Sequence, residues 1–120
     1  MVVVVDNDAA VRAALAALLK SAGYAVDTFA SAESFLQSDR LSSTDCLLLD
    51  VRMSGMGGLE LREHLAVLDA KIPIIFMTGH AEASVRGRAL AIGPAGFLEK
   101  PFTDEALVGA IERALRAAPP

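Results

Sequence analysis

Three alanine-free apolar runs carry no polar alternation: Val2-Val3-Val4-Val5, Cys46-Leu47-Leu48-Leu49 and Ile74-Ile75-Phe76-Met77. A strand with one face in water alternates apolar and polar side chains. Short unbroken runs bounded by turn residues therefore read as strands covered on both faces. Each run ends at polar residues: the first at Asp6-Asn7-Asp8, the second at Asp50, the third at Thr78-Gly79-His80. A chain built on such strands needs a layer on each side of its sheet, and the intervening segments have to supply it.

Those segments show helical spacing. Val11, Leu15, Leu18 and Leu19 fall on one face, with Asp8 as N-cap and Gly23 as a left-handed stop. Tyr24 to Phe29 reads as a second strand, in which Tyr24, Val26 and Thr28 alternate with Ala25, Asp27 and Phe29. Ser31 caps a short helix carrying Phe35 and Leu36, and residues 39–44 form a polar connection. Leu61, Leu65 and Leu68 mark a third helix. Val85, Ala89 and Ile92 mark a fourth over residues 82–92, weakened by Gly87 and ended by Gly93-Pro94. Ala95 to Glu99 is the last strand. Thr103 caps the final helix, with Asp104 and Glu105 at its positive end and Leu107, Ala110, Ile111, Ala114 and Leu115 along its inner stripe. Five strands alternating with five helices predict an α/β fold, a doubly wound parallel sheet with helices on both faces and right-handed crossovers.

With 120 residues the chain suits one domain, and a hydrophobic share of 53% excludes a disordered one. No apolar run reaches membrane-spanning length, and Met1 to Val5 lacks the basic leader and the length of a signal peptide. Cys46 is the only cysteine, which excludes an internal disulfide and a multi-cysteine zinc site. Within its apolar run it reads as a small buried hydrophobe. Neither His64 nor His80 has a second His or Cys nearby in sequence to suggest zinc. A net charge of −4 argues against gripping nucleic acid through its phosphates. A soluble, reducing compartment, the cytoplasm, is expected, with no membrane partner.

In a parallel sheet the carboxyl ends of all strands share one edge, where open α/β sheets hold their ligands. Asp6-Asn7-Asp8, Asp50, Thr78 and Lys100 all fall there. Carboxylates converging with an amide oxygen suit a hard cation such as Mg²⁺. Thr78 brings a hydroxyl and Lys100 a mobile positive charge. A cation with a lysine opposite is an electrostatic clamp for a phosphoryl group. Asp50 is then a competent nucleophile, because aspartate can form an aspartyl phosphate.

These residues resemble the receiver domain of two-component response regulators over essentially the whole chain. The matching pieces are Val5-Asp6-Asn7-Asp8, Leu48-Leu49-Asp50-Val51-Arg52-Met53 with Gly55 and Gly58, Met77-Thr78-Gly79-His80, and Phe97-Leu98-Glu99-Lys100-Pro101-Phe102. The last two look most like the FixJ-type subgroup. The resemblance implies a flavodoxin-like sheet of order 2-1-3-4-5 over residues 1–118, with Pro119-Pro120 as the start of a linker or a natural end. It implies that Asp50 accepts phosphate from the phosphohistidine of a sensor histidine kinase, so the domain is a phosphoacceptor rather than an enzyme. Asp6, Asn7, Asp50 and the backbone carbonyl of Arg52 would hold Mg²⁺ or Mn²⁺. Thr78 and Lys100 would bond phosphoryl oxygens, Phe97 would be the aromatic switch, and Lys100-Pro101 matches the family's cis peptide bond. In the subgroup, the surface formed by the fourth helix, last strand and fifth helix pairs two receivers and frees an attached helix-turn-helix domain to bind DNA. No such domain falls within these 120 residues.

The sequence departs from the family pattern at named positions. Asn7 stands where the family usually has a second metal-binding acid, which predicts weaker metal affinity and slower metal-dependent phosphorylation. A one-residue slip would let Asp8 serve instead, but Asp8 is better placed as the helix cap. Ser54 replaces a common proline, which loosens the loop beside Asp50. Residues 81–84 and Gly87 also depart from the subgroup, which leaves the partner preference of the fourth helix open. Two other functions compete. One is a pseudo-receiver, an interaction module whose phosphorylation is impaired by Asn7. The other is a flavin-binding or hydrolytic α/β protein, which lacks support because acids rather than phosphate-cradling glycines follow the first strand.

Overall fold

The unbroken apolar runs are the interior strands of a five-stranded parallel sheet. A computed structural model describes residues 1–50, 72–78, 96–99 and 102–117. Strands β1 (Val2–Val5), β2 (Val26–Phe29), β3 (Cys46–Asp50), β4 (Ile74–Thr78) and β5 (Gly96–Glu99) lie in the order β2-β1-β3-β4-β5. The described helices are α1 (Ala9–Ser21), α2 (Ala32–Gln37) and a C-terminal helix, Asp104–Ala117. This is the flavodoxin-like winding with helices on both faces. The expected third helix and the expected fourth helix over residues 82–92 lie outside the described residues.

Alternation along each strand sorts the core into two layers. Val2, Val4, Cys46, Leu48, Ile75 and Met77 pack with Leu15 and Leu19 of α1 and with Leu107, Ala110 and Ile111 of the C-terminal helix. Val3, Val5, Leu47, Leu49, Ile74 and Phe76 face the other way, where Ala32 and Phe35 of α2 cover them. Phe35 also meets Phe29 edge-on, with ring centroids 5.5 Å apart. Every residue of β1, β3 and β4 is buried, so none needs a polar alternate. Burial of a single Leu or Val side chain contributes about 1.5–3 kcal/mol, which makes these three strands the centre of stability. The edge strand β2 is only half-buried, and β5 is half-buried over Gly96–Leu98 with Glu99 exposed. The Arg40 guanidinium sits 3.1 Å from Asp27 on the outer β2 edge.

Local chemistry fixes the ends of α1. Asp8 Oδ1 accepts the N–H groups of Ala10 and Val11 at 2.9 and 3.3 Å, satisfying two donors of the first turn. At the other end Gly23 takes φ +97°, the left-handed conformation that lets the chain leave the helix. The second strand begins at Val26, two residues later than the expected Tyr24. Tyr24 donates its N–H to the Leu19 carbonyl as part of the helix ending, so pairing begins only at Val26. The expected polar connection at residues 39–44 contains a short 3₁₀ turn, Leu41–Ser43. Among the described residues no helix is long and apolar enough to cross a membrane.

Candidate functional site

The sheet register aligns the polar strand ends. Val5 pairs with Leu49, so Asp6 and Asp50 follow at the next position of adjacent strands. Asp50 pairs with Met77, and Thr78 stands one residue farther along β4. Thr78 in turn pairs with Glu99, which brings the end of β5 to the same edge. All the strands run the same way, so Asp6, Asp50 and Thr78 gather at the carboxyl edge. Asp6 is 0%, Thr78 1% and Asp50 8% exposed, whereas Asn7 is exposed and forms the outer rim.

Burying carboxylates is costly unless they are hydrogen-bonded. Among the described residues no buried side-chain nitrogen or oxygen lacks a partner. Asp6 is held at several points. Its N–H donates to the Phe29 carbonyl of β2 at 3.2 Å, and its Oδ1 accepts the Asp8 N–H at 2.9 Å. Its own carbonyl accepts Nη1 of Arg12 at 2.6 Å. Asp8 directs its side chain into α1 and acts as a cap.

Phe97 is half-buried on β5, paired with Phe76 and packed against the α2-side core layer. Phe76 and Thr78 are two residues apart, so Thr78 shares the alternation phase of the layer that holds Phe97. Arg52 and Lys100 lie outside the described residues, as do Ser54, Gly55, Gly58, residues 81–84, Gly87, both histidines and the Lys100–Pro101 bond. Cys46 sits at the far, amino end of β3. Burial pushes its thiol up to about 12, with the neighbouring Asp45 charge adding to the effect, so it stays a neutral core group. One residue at the site, Arg12, is not among those expected from the sequence. Its position four residues after the Asp8 cap, one helical turn above the strand end, was the available signal.

Asp6 and Asp50 offer carboxylate oxygens, and Asn7 an amide oxygen. A divalent cation of the Mg²⁺ type is bound through one or two carboxylates and keeps several waters, so this donor chemistry fits it. Among the described residues there is no group of three or more His, Cys, Asp or Glu side chains suited to a metal ion.

Known proteins match this chain in both sequence and fold. A family described as "Response regulator receiver domain" matches residues 2–112. The chain is 42% identical over 119 residues to response regulator protein TodT of Pseudomonas putida, covering 99% of this chain and 52% of TodT. It superposes on the response regulator StyR with a TM-score of 0.89 at 45% identity, covering 98% of this chain and 59% of StyR. It superposes equally well on FixJ-N, with a TM-score of 0.89 at 37% identity, covering 99% and 95% of the two chains. The chain thus spans about half the length of the curated relatives it matches. Family match, sequence identity and sheet order agree, and the chain belongs to the response regulator receiver domain family, phosphoacceptor modules rather than enzymes, with FixJ, TodT and StyR among its relatives.

Proposed function

We propose that residues 1–118 form the receiver domain of a two-component response regulator and that Asp50 is its phosphoryl acceptor. One observation carries this reading above the others. Asp50 ends the central strand β3 at the carboxyl edge, level with Asp6 on one side and one residue short of Thr78 on the other. The Asp50 oxygen attacks phosphorus as the bond to the phosphohistidine imidazole of a sensor histidine kinase breaks, giving an aspartyl phosphate. Bound Mg²⁺ or Mn²⁺ would supply charge neutralisation at the phosphoryl oxygens. Asp6, Asn7, Asp50 and the Arg52 carbonyl are the groups that would hold it. Receiver domains generally use such an ion at the phosphorylation site. Asn7 contributes an oxygen but no charge, which points to a weaker site than two adjacent acids would make.

Thr78 would donate its hydroxyl to one phosphoryl oxygen and Lys100 its ammonium to another. Phosphorylation adds charge and acceptor oxygens at Asp50, and drawing Thr78 toward them vacates space on its side of the sheet. Phe97, half-buried in the α2-side layer, would then repack and alter the surface made by the fourth helix, β5 and the C-terminal helix. That surface would pair two receivers. In the cytoplasm of a bacterium the output would be transcriptional, through a DNA-binding domain attached beyond this chain. The name of one relative, transcriptional regulatory protein FixJ of Bradyrhizobium diazoefficiens, supports a transcriptional output.

Asn7 favours a second reading, a pseudo-receiver that binds partners without taking phosphate. Treatment with acetyl phosphate and Mg²⁺ separates the two. A receiver gains one phosphoryl group by intact-mass spectrometry and Asp50→Asn gains none, whereas a pseudo-receiver stays unmodified under conditions that label a control receiver.

A further inference from the structure

Arg12 belongs to α1, yet its side chain turns back toward the sheet. Its own N–H donates to the Asp8 carbonyl at 3.0 Å, closing the first turn of the helix. Its Nη1 reaches past that turn to the Asp6 carbonyl at 2.6 Å. The guanidinium therefore ties the start of α1 to the end of β1 across the Asp6-Asn7-Asp8 corner. That corner has to present the Asp6 carboxylate inward and Asn7 at the rim, while Asp8 caps the helix. Asp6 Oδ1 is already engaged by the Asp8 N–H, so any change in the path of the corner moves the carboxylate with it.

We propose that Arg12 is a positioning residue for the cation-binding corner, acting through the Asp6 main chain and touching neither cation nor phosphoryl group. The inference rests on the assignment of Asp6 and Asn7 to a divalent-cation site. A charge argument makes it testable by sign. A cationic side chain close to a cation site weakens binding by repulsion, so removing its charge should tighten the site if charge is all that matters. Removing a side chain that orients the ligands should loosen it. Outer groups that orient metal ligands typically change affinity about 10–100-fold when removed. The held atom here is a carbonyl one residue deep, so the lower end of that range applies.

The test is Mn²⁺ binding, followed by the electron paramagnetic resonance signal of free Mn²⁺, in the wild type, Arg12→Met and Arg12→Lys. Arg12→Met is expected to weaken binding about tenfold. Arg12→Lys, which can still donate one N–H to the carbonyl, should recover most of the loss. Amide exchange at Asp8 should speed up in metal-free Arg12→Met, because the corner is freed without any ion present. Unchanged or tighter binding in a folded Arg12→Met protein overturns the inference, the latter marking Arg12 as a mere repulsive charge. If Arg12→Met fails to fold, Arg12→Lys and Arg12→Gln carry the same comparison. Absence of Mn²⁺ binding by the wild type would remove the cation-site reading and this inference together, whereas wild-type binding with an unaffected variant removes only the inference.

Discussion

Asp50 is paired in register with Met77, so Thr78 stands one residue farther out on the neighbouring strand than the acid does. The pairing gives Thr78 a defined place beside the end of β3, while its 1% exposure keeps it under the rim. A hydrogen bond to a charged group contributes about 1.5–3 kcal/mol. Thr78→Ala should therefore lower the steady-state labelled fraction of Asp50 roughly tenfold. It should also abolish the shift of the Phe97 ring resonances on phosphorylation. Nuclear magnetic resonance of the aromatic side chains checks the second outcome independently of the first.

Asn7 is exposed at the rim while Asp6 beside it is fully buried. Asn7→Asp adds one negative charge where a divalent cation would bind. Unit charges about 4 Å apart interact by about 1 kcal/mol even in bulk water, and a doubly charged ion doubles this. Mg²⁺ affinity should rise on the order of tenfold and metal-dependent phosphorylation should quicken. The metal-free variant should melt at a slightly lower temperature, since the new charge adjoins Asp6 and Asp8. A metal titration followed by labelling kinetics checks both.

Asp8 offers a control for the assignment at Asn7. Its side chain caps α1 through Ala10 and Val11. Asp8→Ala should cost about 0.5–2 kcal/mol of stability by loss of the cap. Chemical denaturation measures that cost. The half-saturating Mg²⁺ concentration should change far less than with Asp6→Asn. If Asp8→Ala removes metal dependence as fully as Asp6→Asn does, Asp8 rather than Asn7 is the ligand.

Much of this was legible in the chain because the signals were redundant. Val2–Val5, Cys46–Leu49 and Ile74–Met77 are buried on both faces, and their shortness and lack of alanine separate them from the apolar run Ala13–Leu19, which lies in α1. Asp6, Asp50 and Thr78 follow those runs directly, so strand direction alone gathers them at one edge. Tyr24 continues the strand alternation with Val26, yet a single bond to the Leu19 carbonyl keeps it in the helix ending. The turn at Leu41–Ser43 likewise depends on individual hydrogen bonds, Ser43 to Arg40 and Thr44 to Leu41, with no periodicity to announce them. Arg12 escaped for a related reason. Helical spacing identifies which face a residue occupies but not that a long side chain reaches back to the Asp6 carbonyl.

Cys46 gives the fold a defined alkaline weakness. Its folded thiol keeps its proton up to about 12, against 9.0 ordinarily, because burial disfavours the thiolate. The neutral thiol is thus the form that folding favours. Its contribution is complete below pH 9.0 and is lost as pH rises from there toward 12. The loss approaches about 1.4 kcal/mol per pH unit within that window. Cys46→Ala should be less stable than wild type at neutral pH, through the cavity it leaves. Its stability should fall less steeply above pH 9.0, with a difference in slope of about one proton. Denaturant midpoints of the two proteins across that range give the slopes directly.

The location of the phosphoryl group after reaction with acetyl phosphate and Mg²⁺ tests the central claim most directly. Borohydride reduction converts an acyl phosphate on aspartate to homoserine, which peptide mass spectrometry assigns to one position. The account expects homoserine at position 50 alone, and none in protein treated without Mg²⁺. Homoserine at another carboxylate, or none under conditions that convert a control receiver, would contradict it.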